Sequence, residues 1–154
     1  MKITKIIPAL LFLPLGAFAD APIKPIDTVY VSSESDFKYR TSVDGCLALD
    51  ESKDYILKAN VTLSHCFFVS SVSAITLDLN GYNLTRDLKN LAAEEKGLLF
   101  VVDGALIVKN DNDGRRGVMT EVDETNTNVP AIFINERGAA FLQGGTIKSK
   151  SKNN

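Results

Sequence analysis

The chain has no tryptophan, a single histidine (His65) and only two cysteines (Cys46 and Cys66) among 154 residues. Each shortage removes a class of chemistry. Without tryptophan the strongest sugar-stacking side chain is missing, and aromatic contact falls to Tyr and Phe. One histidine, two cysteines and no Cys-x-x-Cys spacing leave no common zinc pattern. Positive charge is not in excess: 17 Lys and Arg stand against 19 Asp and Glu, a net charge of −2. That balance argues against nucleic acid or an anionic membrane surface as the main partner. Nor is there an uninterrupted apolar run of the roughly 20 residues that a membrane-spanning helix requires.

What is present begins with an export signal. Lys2 and Lys5 precede an apolar run over residues 6–18, interrupted by Pro8 and Pro14 and closed by Ala17-Phe18-Ala19 before Asp20. This charge, length and small-residue pattern predicts a signal peptide over residues 1–19, cleaved after Ala19, with Ala19 to Ala21 as a lesser second site. No cysteine follows closely enough for a lipid anchor. The expected location is periplasmic, secreted or cell-surface. Removal leaves about 135 residues, enough for one domain with a core, and a formal charge of −4. In such a chain Cys46 and Cys66 are expected to form a disulfide, contributing roughly 3 kcal/mol by restricting the unfolded chain.

Residues 20–45 read as an N-terminal arm or cap: an extended, proline-containing leader, a first strand at Thr28–Val31, and a polar stretch in which Phe37 and Tyr39 are spaced for one face of a strand. From residue 46 short apolar segments follow one another at 55–57, Val61–Leu63 and Phe67–Val69. The chain is organised around residues 74–84, where Ile75, Leu77 and Leu79 alternate with Thr76, Asp78 and Asn80 before Asn80-Gly81 turns it. Asp87 predicts the cap of a short inserted helix over residues 88–96, closed by Gly97. Strands resume at 98–102 and 105–108, with a turn at Asp103-Gly104, and again at 131–134 and Ala139–Leu142, with a turn at Arg137-Gly138. Between them lie a polar loop at 109–117 and an acidic, amidic one at 121–128. Aligned on Gly104 and Gly138 the period is 34 residues. Repetition at this spacing predicts an all-β solenoid over residues 46–148, in preference to an antiparallel sandwich, followed by a polar tail at 149–154.

Leu77-Asp78-Leu79-Asn80-Gly81, followed by Gly-Ala-Leu-Ile-Val at 104–108 and Gly-Ala-Ala-Phe-Leu-Gln-Gly-Gly-Thr-Ile at 138–147, resembles the coils of secreted right-handed parallel β-helix proteins of the pectate-lyase-like superfamily. The resemblance covers residues 55–148 and implies a right-handed parallel β-helix of about three coils, with a groove that in many members holds polysaccharide. It also implies where catalysis would reside: carboxylates gathered on one sheet around calcium, with an arginine as base. With Ala74, Ala105 and Ala139 in register, Asp78 faces Lys109 and Gln143; with a slip of two, it faces Ile107 and Phe141. Neither register assembles a calcium cage, so no cofactor is expected.

Asp78, Asp111, Asp113, Arg115 and Arg116 are the candidate ligand-binding residues, the arginines being suited to an acidic sugar. Asp103, Asp111, Asp113 and Glu136 would have to converge to serve a hydrolase; solvated turn positions are the simpler reading. The 109–114 stretch fails as a calcium loop because Lys109 takes the first ligand position. His65 has no acid near it in sequence and is expected to be packed or hydrogen-bonded. Asn60 and Asn83 begin glycosylation sequons that a bacterial-looking signal peptide leaves unused. The expected function is an exported, non-catalytic module that binds extracellular polysaccharide or forms the N-terminal part of a surface protein. A polysaccharide lyase or glycoside hydrolase, and a structural adhesin fragment, are the alternatives. The last coil is expected to leave an open apolar edge, met by further coils cut off by truncation, by self-association or another partner, or by the tail.

Overall fold

Alternating apolar and polar residues dictate short strands, and a computed structural model forms them in nearly every segment where the alternation occurs. It describes residues 27–49, 52–90, 96–112, 114–121 and 129–148. In chain order the strands are β1 (Thr28–Val31), β2 (Tyr39–Val43), β3 (Cys46–Leu49), β4 (Lys53–Leu57), β5 (Val61–Leu63), β6 (Phe67–Val69) and β7 (Ala74–Asp78). They continue with β8 (Leu84–Arg86), β9 (Phe100–Val102), β10 (Ala105–Lys109), β11 (Val118–Glu121), β12 (Ile132–Ile134), β13 (Ala139–Leu142) and β14 (Thr146–Ile147).

The strands form three sheets. The first has the order β1-β4-β7-β10-β13, the second β14-β11-β8-β5, and the third β12-β9-β6-β3-β2. From β4 onward the chain visits the three sheets in rotation. Every ladder is parallel except β2–β3, so an antiparallel sandwich is excluded. Ala74 pairs with Ala105 and Ala105 with Ala139, which is the first of the two registers considered from the sequence. β1, in the segment read as an arm, is hydrogen-bonded to β4 as the first strand of the first sheet.

Inward positions build one core across all three sheets. Val29, Tyr55, Leu77, Val108 and Leu142 form one register column of the first sheet. Val61, Leu84, Met119 and Ile147 do the same in the second, and Leu47, Phe67, Phe100 and Ile132 in the third. Residues from each column belong to a single buried apolar cluster. The outward side of the third sheet is also apolar: Phe68, Val101 and Phe133 pack around the buried Cys46–Cys66 disulfide, as predicted for this cysteine pair. A less expected inward residue is Arg86, fully buried in register with Leu63 and Glu121.

Corners are held by side chains that reach between layers. Asn110 Oδ1 accepts from the amides of Gly81 (2.7 Å) and Gly117 (3.3 Å), while its Nδ2 donates to the Arg115 carbonyl at 2.8 Å. Asn80 Nδ2 donates to the Leu57 carbonyl at 3.0 Å. Asn80 and Gly81 adopt φ of 46° and 79°; an added Cβ at Gly81 would lie 2.5 Å from Arg115 Cβ, so space and dihedral together select glycine there.

Two local expectations change. Phe37 is not in a strand: it ends a 3-10 turn, Glu34–Asp36, and only Tyr39 enters β2. The competing device is the side chain of Asp36, which accepts from the Ser32 and Ser33 amides at 2.8 and 2.9 Å and curls the chain before a ladder can form. The helix expected over residues 88–96 is a 3-10 turn at Leu88–Asn90 in its described part, with Asp87 Oδ1 accepting from the Lys89 amide; residues 91–95 lie outside the description.

Candidate functional site

The outward face of the first sheet holds Asp78 and, just beyond β10, brings Asp111 to it: two of the five candidate residues. Because side chains alternate across a strand, Thr28, Asp54, Thr76, Ile107 and Phe141 form one outward column. Beside it runs a second column of Tyr30, Ile56, Asp78 and Lys109. Its charged centre is compact. Lys109 Nζ donates to Asp111 Oδ2, and this hydrogen bond to Asp111 raises the lysine pKa above its ordinary value; burial opposes this, while the charges of Asp111, Asp78 and Asp54 reinforce it. Lys109 is therefore held protonated, as a donor and a cation rather than a base.

Asp78 is only 4 % exposed although it points outward. Its Oδ1 accepts from the Asn80 amide at 2.8 Å and from the Asp111 amide at 3.1 Å, so the carboxylate fixes the turn after β7 to the chain leaving β10. Asp111 and Asp78, which sequence reading had not paired, thus meet around Lys109 rather than around an open site. Arg115 and Arg116 are both exposed in the loop before β11. Arg115 lies over the Asn80-Gly81 turn, at the corner that follows this patch. Asp113 and the acidic loop at 122–128 lie outside the described residues, as do the signal peptide and the 149–154 tail.

Two aromatic rings frame the patch. Tyr30 is 60 % exposed on edge strand β1, with Lys58 Nζ 4.5 Å from its ring centroid. Phe141 is 55 % exposed on the opposite edge strand, β13. Four strand spacings separate them, about 19 Å at the usual inter-strand distance. Sequence reading did not single out Tyr30 or Asp54; extending the Ala74 register by one strand toward the N-terminus would have placed Asp54 on this face, and by two strands Tyr30.

The other turn carboxylates separate from this cluster. Asp103 and Glu136 share a shallow recess of about 390 Å³ with Asn135 and Arg137, at the corner between the third and first sheets. His65 has an acid partner that sequence proximity hid: Glu34 lies 3.6 Å from its Nδ1 and accepts from the Ser64 and His65 amides. Among the described residues, no group of three or more His, Cys, Asp or Glu is placed to hold a metal ion. Among them, too, no helix is long and apolar enough to cross a membrane. Compared with known proteins, the chain matches no protein-family model, no curated protein and no solved structure.

Proposed function

We propose that this chain is an exported module of right-handed parallel β-helix form that holds an extended polysaccharide along the outward face of its first sheet without transforming it. The fold part of this reading rests on three parallel sheets visited in rotation and on the near-universal right-handedness of parallel crossovers. Export rests on the signal-peptide pattern of residues 1–19 and on a disulfide, which belongs to oxidising compartments.

The observation that carries the binding role is the exposed pair Tyr30 and Phe141 at opposite edges of one sheet face, with Asp54, Thr76 and Lys109 between them. Rings present apolar faces to sugar C–H groups, while carboxylate, hydroxyl and ammonium groups match sugar hydroxyls. The same patch supports binding rather than turnover. A lysine whose proton is held more tightly than usual is a poor base, and Asp78 spends one oxygen on two backbone amides.

The test is affinity electrophoresis through gels containing individual polysaccharides, run beside assays for reducing ends and unsaturated products. At least one polysaccharide should retard the protein, and Tyr30→Ala with Phe141→Ala should weaken that binding by more than about tenfold, with no product formed. Retardation that survives both substitutions, or by no polysaccharide, would sink the binding face. Turnover that disappears in Asp78→Asn would replace it with the lyase or hydrolase alternative.

A further inference from the structure

The end of the core formed by β12, β13 and β14 is open. Val108, Ile132, Ile134, Ala140, Leu142 and Ile147, with Phe141 beside them, line a hollow of about 190 Å³ there. Leu142 continues the column of Leu77 and Val108, Ile147 that of Met119, and Ile134 that of Val69 and Val102. Those preceding members are all buried, whereas Leu142 is 52 % and Ile134 47 % exposed. Each of the three strands is paired on one side, with β10, β11 or β9, and among the described residues has no partner on the other. An occupant must therefore bring both apolar side chains and strand edges.

The opposite end keeps strand edges, those of β1 and β5, but no open apolar core. Phe37 sits over that end of the core, its ring centroid 5.0 Å from Tyr55 and 4.6 Å from Phe67, and the third sheet ends there in the antiparallel strand β2. A head-to-tail stack of copies would set the open hollow against this covered end. Nor do residues 149–154, Ser-Lys-Ser-Lys-Asn-Asn, carry an apolar side chain to fill the hollow. A second copy presenting the same open end meets every requirement. A two-fold axis lays each edge strand antiparallel to one from the other copy, the pairing direction already used between β2 and β3. The rim also permits it: Glu136, Arg137 and Lys148 place both signs of charge around the hollow, so identical rims can face each other without uniform repulsion.

We propose that the open end is a self-association surface, through which two copies meet end to end about a two-fold axis and complete each other's core. This does not depend on sugar binding, and the polysaccharide assay above can fail without affecting it.

Light scattering coupled to gel filtration, across a wide concentration range of the full chain, tests the inference. A species of twice the monomer mass is expected, with no larger ladder. Leu142→Lys and, separately, Ile147→Lys should each weaken association by more than about tenfold, while circular dichroism and the disulfide remain as in the parent protein. Three outcomes overturn the proposal: a monomer at the highest concentration reached, an open-ended series of oligomers, or a dimer that both lysine variants leave intact. A variant that loses its circular dichroism is replaced in the test by Ile134→Lys, at a half-exposed position on the same open end.

Discussion

β1 and β13 are the two edge strands of one sheet; Val29 and Ala140, inward on each, are both half-buried, but the last inward residue of each strand meets a different fate. Val31 on β1 is 0 % exposed, while Leu142 on β13 is half exposed. Among the described residues both strands lack a neighbour on one side, so edge position alone does not expose a core residue. What differs is the cover. At the N-terminal end the chain turns back through the 3-10 turn Glu34–Asp36, lays Phe37 across the core, and pins the turn by the Glu34 carboxylate on the Ser64 and His65 amides. At the other end the described chain simply leaves along β14. A stack of short strands buries its ends only when something is laid across them.

The sharpest way to break this comparison is to remove the cover. Phe37→Ala should cost about 4 kcal/mol, since it deletes a buried ring packed between two others. Leu142→Ala, at the end without a cover, should cost less than about 1 kcal/mol in dilute protein. Urea unfolding midpoints of the two variants measure the difference, and equal losses would show that Phe37 is not the cover it resembles. Next in size is the disulfide. Replacing both Cys46 and Cys66 by alanine should cost about 3 kcal/mol. Because the bridge joins β3 to the residue before β6, amide exchange should accelerate in β2 and β3 before it does in β10 and β13. Uniform acceleration along the chain would mean that the bridge stabilises the whole stack and not that end.

The same contrast separates what sequence could reveal from what it could not. Alternation located Val61–Leu63, Phe67–Val69 and Ala139–Leu142 at the observed bounds, because each strand carries its own inward and outward residues. Small residues shared by Ala74, Ala105 and Ala139 offered the observed register of the middle passes as one of two. The cover was less legible, because it depends on contacts between distant residues: Glu34 with His65, Phe37 with Phe67. One signal was there to be read. Asp44-Gly45, with φ of 48° and 80°, joins β2 to β3 as a tight hairpin, for which Asp-Gly is a strong mark. Asn80-Gly81 has nearly the same dihedrals and yet turns the chain from the first sheet into the second. The dipeptide alone does not decide; at Gly81 the amide is taken by Asn110 of the next layer. The candidate site on the outward face was half legible for a related reason. Asp78 and Asp111 stood out as acids, but Tyr30 joined them only through a ladder four strands wide.

The smallest effect expected concerns pH, and it again divides the covered end from the sheet face. Hydrogen bonds from the Ser32 and then the Ser33 amide hold the Asp36 carboxyl below its ordinary pKa. A carboxyl with a depressed folded-state pKa contributes stability that is present above its unfolded value and is lost as pH falls through the folded one. The 3-10 turn should therefore loosen in acid, below the ordinary aspartate range. Lys109 is shifted the other way: its raised pKa gives a contribution that is complete below the unfolded lysine value and disappears only as strongly alkaline pH passes the folded one. Amide exchange at Ser32 and Ser33, corrected for its intrinsic pH dependence, should lose protection on acidification while the amides of β10 keep theirs. Asp36→Asn should remove that acid dependence. Unchanged protection of Ser32 and Ser33 in acid would show that the Asp36 charge does not hold the turn, leaving Phe37 and Glu34 to keep that end closed.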